Sequence, residues 1–100
     1  MTNTSQNIPT RDQLRQADPA GRVLIVENYA IDLLTSLRES GSGSIEPGSH
    51  LADVGVDSLQ AVELKYSLDE LLGNESDVDL FISNPTIRTL AEELVRRARL

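Results

Sequence analysis

Ser58 stands directly after an acid, Asp57, where the stretch GVDSLQAVEL takes on the spacing of an amphipathic helix. A serine at this place can begin a helix, act as a nucleophile or be modified. A nucleophilic serine needs a general base within hydrogen-bonding reach and a third group that orients the base. The one histidine, His50, lies in a loop rich in glycine and proline, and neighbouring helical residues do not face each other. A hydrolase that uses Ser58 and His50 is therefore a weak alternative.

The sequence contains no motif for other catalytic chemistries or for metal binding. It contains no cysteine, which excludes a disulfide framework, a thiolate metal site and a cysteine nucleophile. Its histidine, aspartates and glutamates do not cluster at metal-ligand spacing, and the sequence has no EF-hand and no glycine-rich phosphate loop. We therefore predict no catalytic residue and no metal ligand.

The formal net charge of −7 disfavours nucleic acid and anionic membranes as partners. Residues 53–79 hold eight acids and a single base, Lys65, and so carry this entire net charge. The sequence gives no reason for a positive charge at Lys65. No stretch approaches the roughly 20 apolar residues of a membrane span. The polar first ten residues do not resemble a signal peptide, so the expected compartment is the cytoplasm.

Helix signals begin near the N-terminus. Thr10 and Gln13 have the spacing of a capping box and predict a short helix. Asp18 and Pro19 predict the start of a longer helix that ends near Gly41, about 20 residues on. Apolar residues recur at helical spacing in this second segment: Val23, Val26, Ala30, Leu33, Leu34 and Leu37.

A long loop follows in residues 40–56, which are too rich in glycine, serine and proline for a regular element. Loops of this length in a small domain either serve a function or are held by their own apolar residues. Ile45, Leu51 and Val54 are the residues we expect to hold it against the core.

The second long helix is predicted to begin after Asp57, which caps it with Gln60 in a second capping box, and to end at Gly73. One apolar stripe is expected to face the core: Ala61, Leu64, Leu68, Leu71 and Leu72. A second apolar face is formed by Leu59, Val62 and Tyr66. These residues either pack beneath the long loop or contact a partner, and the pattern does not separate the two.

A short helical turn is predicted over residues 78–82, and a third long helix starts after a cap at Asn84 or Thr86. The last helix has a regular apolar stripe: Ile87, Leu90, Ala91, Leu94, Val95 and Ala98. Arg96, Arg97 and Arg99 complement the dipole at its C-terminal end. The predicted fold is all-α, a small bundle of three long helices plus one short helix, with the long loop between the first two long helices.

Two stretches together resemble the acyl carrier proteins, and more closely the carrier domains of modular polyketide synthases. The first is LADVGVDSLQAVELKYSLDELLG, with the family's Gly-x-Asp-Ser-Leu before an amphipathic helix. The second is LFISNPTIRTLAEEL, which resembles the family's short aromatic-containing helix and its Pro-Thr-Ile entry into the last helix. The resemblance covers roughly residues 20–94.

The resemblance implies that Ser58 is esterified by 4′-phosphopantetheine, which a phosphopantetheinyl transferase takes from coenzyme A. It implies that acyl or polyketide intermediates are carried as thioesters to the ketosynthase, acyltransferase and other synthase domains. It also places Asp57, Leu59, Val62 and Glu63 on the family's partner-recognition positions. The chain is then a monomeric, non-catalytic carrier, with a disordered tail at residues 1–9 and the carrier domain at residues 10–100.

Three alternatives remain besides the hydrolase. The chain could be a fatty-acid carrier, although NPTIRTLAEEL resembles the polyketide pattern more closely. It could be a peptidyl carrier, although those proteins usually lack the acid before the modified serine. The last alternative, from another class, is an unmodified acidic adaptor that docks basic partners through Leu59, Val62 and Glu63.

Overall fold

The structure is a computed structural model, and it describes residues 8–37, 45–98 and 100. The elements in chain order are α1 (Arg11–Gln16), α2 (Pro19–Leu37), a 3₁₀ turn (Ala52–Val54), α3 (Ser58–Leu72), α4 (Asp79–Ile82) and α5 (Ile87–Arg97). The predicted all-α fold, with three long helices and a long loop between the first two, is confirmed. Across the described ranges no helix is long and apolar enough to cross a membrane. The predicted helix end near Gly41, residues 1–7 of the tail, and Arg99 fall outside those ranges.

Local capping signals place most of the helix ends. Thr10 and Gln13 form the expected capping box at α1, since each side chain bonds the backbone of the other residue. The third long helix, α5, is capped by Thr86, whose hydroxyl accepts a 3.0 Å hydrogen bond from the Thr89 amide. Of the two cap candidates predicted there, Asn84 is wrong, because its side chain bonds a different segment.

The core lies around α2, which packs against α1, α3 and α5, while α4 packs on α3. It is aliphatic apart from Phe81. The predicted inward stripe of α3 is buried throughout, as are Val26, Ala30 and Leu34 of α2. The short helix α1 contributes Leu14, which is fully buried. Burial of these side chains is the main favourable term in folding a domain of this size.

The described part of the long loop, residues 45–57, is fastened to the start of α5. The Ile87 amide donates to the Ser49 carbonyl at 3.1 Å, and the Arg88 amide donates to the Pro47 carbonyl at 2.8 Å. The first amides of a helix have no partner inside the helix, so here the loop backbone supplies one. Ile45 and Leu51 are buried and Val54 is half-buried against the core, which confirms the three predicted anchoring residues.

Candidate functional site

Ser58 is the first residue of α3 and is exposed. Within the described residues its hydroxyl has no hydrogen-bond partner, and Ser58 does not cap the helix. Asp57 does: its Oδ1 accepts from the Gln60 amide at 2.8 Å, and Gln60 Oε1 accepts from the Asp57 amide at 3.3 Å. The predicted capping box is therefore confirmed, and it leaves the neighbouring hydroxyl available to solvent.

The backbone before Ser58 is a tight, bonded turn. The 3₁₀ turn ends at Gly55, which has a left-handed φ of 86°, a conformation that glycine adopts at little cost. The Gly55 amide donates to the Ala52 carbonyl, and the Val56 amide donates back to the Leu51 carbonyl at 3.1 Å. The chain thus enters α3 from a turn of fixed geometry.

A cleft of about 310 Å³ opens beside Ser58, between the 3₁₀ turn, the first turn of α3 and the end of α4. Its exposed walls are about equally polar and apolar, and three of the lining side chains are polar. The lining residues are Leu51, Ala52, Val56, Asp57, Ser58, Ala61, Phe81, Ile82 and Asn84. Ser58 therefore lies where an attached group has both solvent and an apolar surface within reach.

The second apolar face of α3 is exposed. Leu59 is 69% exposed and Tyr66 is 64% exposed, so neither packs beneath the described part of the loop. Val62 is half-buried and Glu63 is exposed. Positions 59, 62, 63 and 66 share one side of a helix, so Leu59, Val62 and Glu63, three of the four predicted recognition residues, lie with Tyr66 on one outward stripe that begins next to Ser58. The fourth, Asp57, lies at the cap before the helix.

His50 is not part of this site. Its Nδ1 lies 3.7 Å from Asp53 Oδ2, its backbone pairs with Thr86 in an isolated antiparallel bridge, and it does not line the cleft. Among the residues that the structure describes, no group of three or more histidine, cysteine, aspartate or glutamate side chains could hold a metal ion.

Lys65, whose charge had no sequence-based explanation, is almost fully buried, with 6% exposure. Its ammonium lies 2.7 Å from Asp69 Oδ2 and 5.1 Å from the centre of the Tyr66 ring. Asp69 Oδ1 also accepts from the amide and the hydroxyl of Ser76. The hydrogen bond to Asp69 raises the pKa of Lys65, and the three residues tie α3 to the loop that precedes α4.

Two further contacts were not foreseen. Glu27, which is buried in α2, accepts a 2.8 Å hydrogen bond from Arg88 Nε at the start of α5, and this bond raises the pKa of Arg88. Arg11 in α1 donates to the carbonyls of Glu70 and Leu71 at the end of α3.

Of these contacts, the pair of Lys65 and Asp69 was predictable from sequence, because the two residues are four apart on a helix. Arg11 and Glu27 have no comparable local signal.

Comparison with known proteins decides what kind of domain this is. Residues 26–94 match the family model described as "Phosphopantetheine attachment site". The chain belongs to this family. It is also 30% identical, over 81 residues, to the non-reducing polyketide synthase adrD of Penicillium roqueforti. Those residues are 81% of this chain but 3% of the synthase, so the chain spans a small part of that relative. No solved structure gives a significant match.

The chain is thus a phosphopantetheine-binding carrier domain, and its cofactor is covalently attached 4′-phosphopantetheine. Domains of this family are generally non-catalytic carriers. The structure fits such a group, because attachment through a phosphate ester needs a hydroxyl that is exposed and free of competing bonds. A helix start also favours the phosphate, since unpaired amides and the positive end of the helix dipole lie there.

Proposed function

We propose that Ser58 carries the 4′-phosphopantetheine group and that the domain presents acyl and polyketide intermediates to the enzymes of a polyketide synthase. The observation that supports Ser58 most directly is its free hydroxyl. Most described serine and threonine hydroxyls are hydrogen-bonded within the protein, as Ser36, Ser76 and Thr86 are. Ser58 is exposed, lies at a helix start and lines the cleft.

In the loading reaction, the Ser58 oxygen attacks the phosphorus of coenzyme A that bears the pantetheine. A new oxygen–phosphorus bond forms and the pyrophosphate link breaks. Adenosine 3′,5′-bisphosphate leaves, and the hydroxyl proton passes to a base of the phosphopantetheinyl transferase. The group supplies a terminal thiol, which holds acyl groups as thioesters and which this cysteine-free chain otherwise lacks.

The protein's own part is to present that hydroxyl. Asp57 fixes the first turn of α3 by capping it, so the backbone at Ser58 is ordered before a partner arrives. The bonded turn from Leu51 to Val56 fixes the approach to the helix in the same way. The transferase then meets a hydroxyl on a fixed backbone, with no bond to the protein that must first be broken.

The outward stripe of α3 is our proposed docking surface for the transferase, the ketosynthase and the acyltransferase. Leu59 and Val62 offer apolar contact, while Asp57 and Glu63 offer negative charge to basic residues of the partner. A carrier must leave each partner after each step, so the contacts should be weak and exchange quickly. We further propose that the domain acts as a monomer in the cytoplasm.

The domain boundary proposed from sequence, at residue 10, gains support from α1. Leu14 is fully buried in the core, and Arg22 of α2 donates to the carbonyls of Leu14 and Arg15. These contacts lie outside residues 26–94, the span of the family match. We therefore propose that residues 10–100 fold as one unit.

The test of the attachment site is incubation of the chain with a promiscuous phosphopantetheinyl transferase and coenzyme A, followed by intact-mass measurement. We expect one phosphopantetheine to be added to the wild type and none to Ser58→Ala. Ser67→Ala is the matched control, since Ser67 lies on the same helix and also has no hydrogen-bond partner among the described residues; it should be loaded normally. An unloaded wild type, or a loaded Ser58→Ala, would refute the proposal.

The test of the docking surface is the KM of the same transferase for Glu63→Lys. The substitution reverses an exposed charge, so we expect KM to rise about fivefold at low salt while the melting temperature stays unchanged. Glu92→Lys on α5 is the control, because it makes the same change at an exposed site away from α3. Equal effects of the two variants would show that overall charge acts, and that α3 is not the docking surface.

A further inference from the structure

Asn84 lies in the turn between α4 and α5 and reaches across to the segment before Ser58. Its Oδ1 accepts a 2.9 Å hydrogen bond from the Ala52 amide, 32 residues away in sequence. Ala52 begins the 3₁₀ turn, and an amide at that position has no partner within the turn itself. The Asn84 side chain therefore completes the hydrogen bonding of the turn that leads to Ser58.

The backbone of Asn84 is adapted to this contact. Its φ is 60°, and among the described residues it is the one non-glycine residue with a positive φ. Asparagine adopts the left-handed region more readily than most residues, so most other side chains at this position would add backbone strain. The next residue, Pro85, accepts a 3.1 Å hydrogen bond from the Leu51 amide. Two adjacent residues of the α4–α5 turn thus hold two adjacent amides of the long loop.

Asn84 and Ser58 also line the same cleft, one from the α4–α5 turn and the other from the start of α3. From Ala52 the bonded turn runs directly to the cap residue Asp57. A shift of Ala52 would therefore move both the cleft wall and the entry to α3.

We propose that Asn84 is a positioning residue for the modification of Ser58. It holds the 3₁₀ turn in the arrangement that presents the serine to the transferase. The inference rests on the proposed attachment at Ser58. It adds that Asn84 determines the fraction of molecules in which the 3₁₀ turn has the conformation competent for modification. When only a fraction of a protein is in the competent conformation, its apparent affinity for a partner falls by that fraction. Loss of the Asn84 hydrogen bond should therefore raise KM and leave kcat unchanged.

The discriminating variants are Asn84→Gly and Asn84→Asp. Glycine keeps the positive φ without strain but removes the acceptor, whereas aspartate keeps an acceptor at the same place. We expect the KM of Asn84→Gly in the transferase reaction to rise about two- to fivefold, since the neighbouring backbone hydrogen bonds remain. The KM of Asn84→Asp should equal the wild-type value or fall below it. Hydrogen exchange of the Ala52 amide should quicken about fivefold in Asn84→Gly alone.

The outcomes separate this inference from the proposed function. A wild type that is not loaded refutes the attachment at Ser58 itself. A loaded wild type with an unchanged KM in Asn84→Gly refutes the positioning role. Equal KM increases in the glycine and aspartate variants also refute it, because the acceptor would then not be responsible. A fall in melting temperature of Asn84→Gly without a change in KM would assign Asn84 to stability alone and would overturn the proposal.

Discussion

The two ends of α3 are built in opposite ways. At its N-terminal end a single side chain, Asp57, caps the helix, and the adjacent Ser58 faces solvent beside an open cleft. At its C-terminal end the carbonyls of Glu70 and Leu71 accept hydrogen bonds from Arg11, and the Asp69 carbonyl accepts from the amide of Gly73. Helix ends carry unpaired backbone groups, and this helix satisfies them much more fully at one end than at the other.

The C-terminal end of α3 is also covered by the side chain of Arg11, and we call it the closed end. Gly73 has a left-handed φ of 78°, and a Cβ atom built there would lie 2.8 Å from Cζ of Arg11. One turn earlier, Asp69 joins Lys65 to Ser76 in a partly buried network. The difference indicates that the two ends of α3 have different roles. The C-terminal end fixes α3 in the bundle, and the N-terminal end is exposed and available to partners.

The largest expected effect comes from loosening the closed end through Leu14→Ala. Leu14 is fully buried and anchors α1, which carries Arg11. Truncation of a buried leucine to alanine removes apolar burial and leaves a cavity, so we expect a loss of about 2–5 kcal/mol in the free energy of unfolding. Urea denaturation followed by circular dichroism measures it. Loading of the folded variant at Ser58 should proceed as in the wild type.

Leu24→Ala is the matched control for this prediction. Leu24 lies on α2 and is 54% exposed, so the same substitution should cost less than about 0.5 kcal/mol. If Leu14→Ala were no more destabilising than Leu24→Ala, α1 would not belong to the folded unit, and the boundary at residue 10 would be wrong. If Leu14→Ala slowed loading of the folded protein, the two ends of α3 would not be independent.

Features that depend on nearby residues were predictable from sequence. The capping box of Asp57 and Gln60, the left-handed stop at Gly73 and the buried stripe of α3 all follow from short-range rules about helix ends and periodicity. The resemblance to carrier domains drew attention to Ser58 because its motif lies in one continuous stretch. For the same reason, the exposed stripe that starts at Leu59 was visible as a pattern, although only the structure shows that the described loop does not cover it.

Features that join distant residues were not predictable. Arg11 bonds a carbonyl 60 residues away, and Glu27 pairs with Arg88 across 61 residues. Asn84 has two plausible local uses, as a helix cap or as a turn residue, and sequence favours neither. Its actual partner, the Ala52 amide, is set by how α5 lies against the long loop. Such contacts depend on tertiary packing, which periodicity and propensity do not specify.

The smallest expected effect on stability is at the open end, where Asp57 can be changed in two ways. Asp57→Ala removes the cap and should lower the free energy of unfolding by about 1 kcal/mol. Asp57→Asn keeps an oxygen that caps equally well, so its stability should match the wild type. It removes the negative charge beside Ser58, however, and the KM of the transferase should rise about twofold to fivefold at low salt. Thermal unfolding and loading kinetics measure the two effects.

Salt separates the two roles of Asp57 further. Attraction between exposed charges is screened at high ionic strength, so the KM of the wild type should approach that of Asp57→Asn as salt is added. The stability difference between Asp57→Ala and Asp57→Asn should persist, because a capping hydrogen bond is short-ranged. If Asp57→Asn were as unstable as Asp57→Ala, the cap would depend on charge. If its KM at low salt equalled that of the wild type, the acid before Ser58 would serve the helix alone, and partner attraction would fall to Glu63 and the rest of the acidic segment.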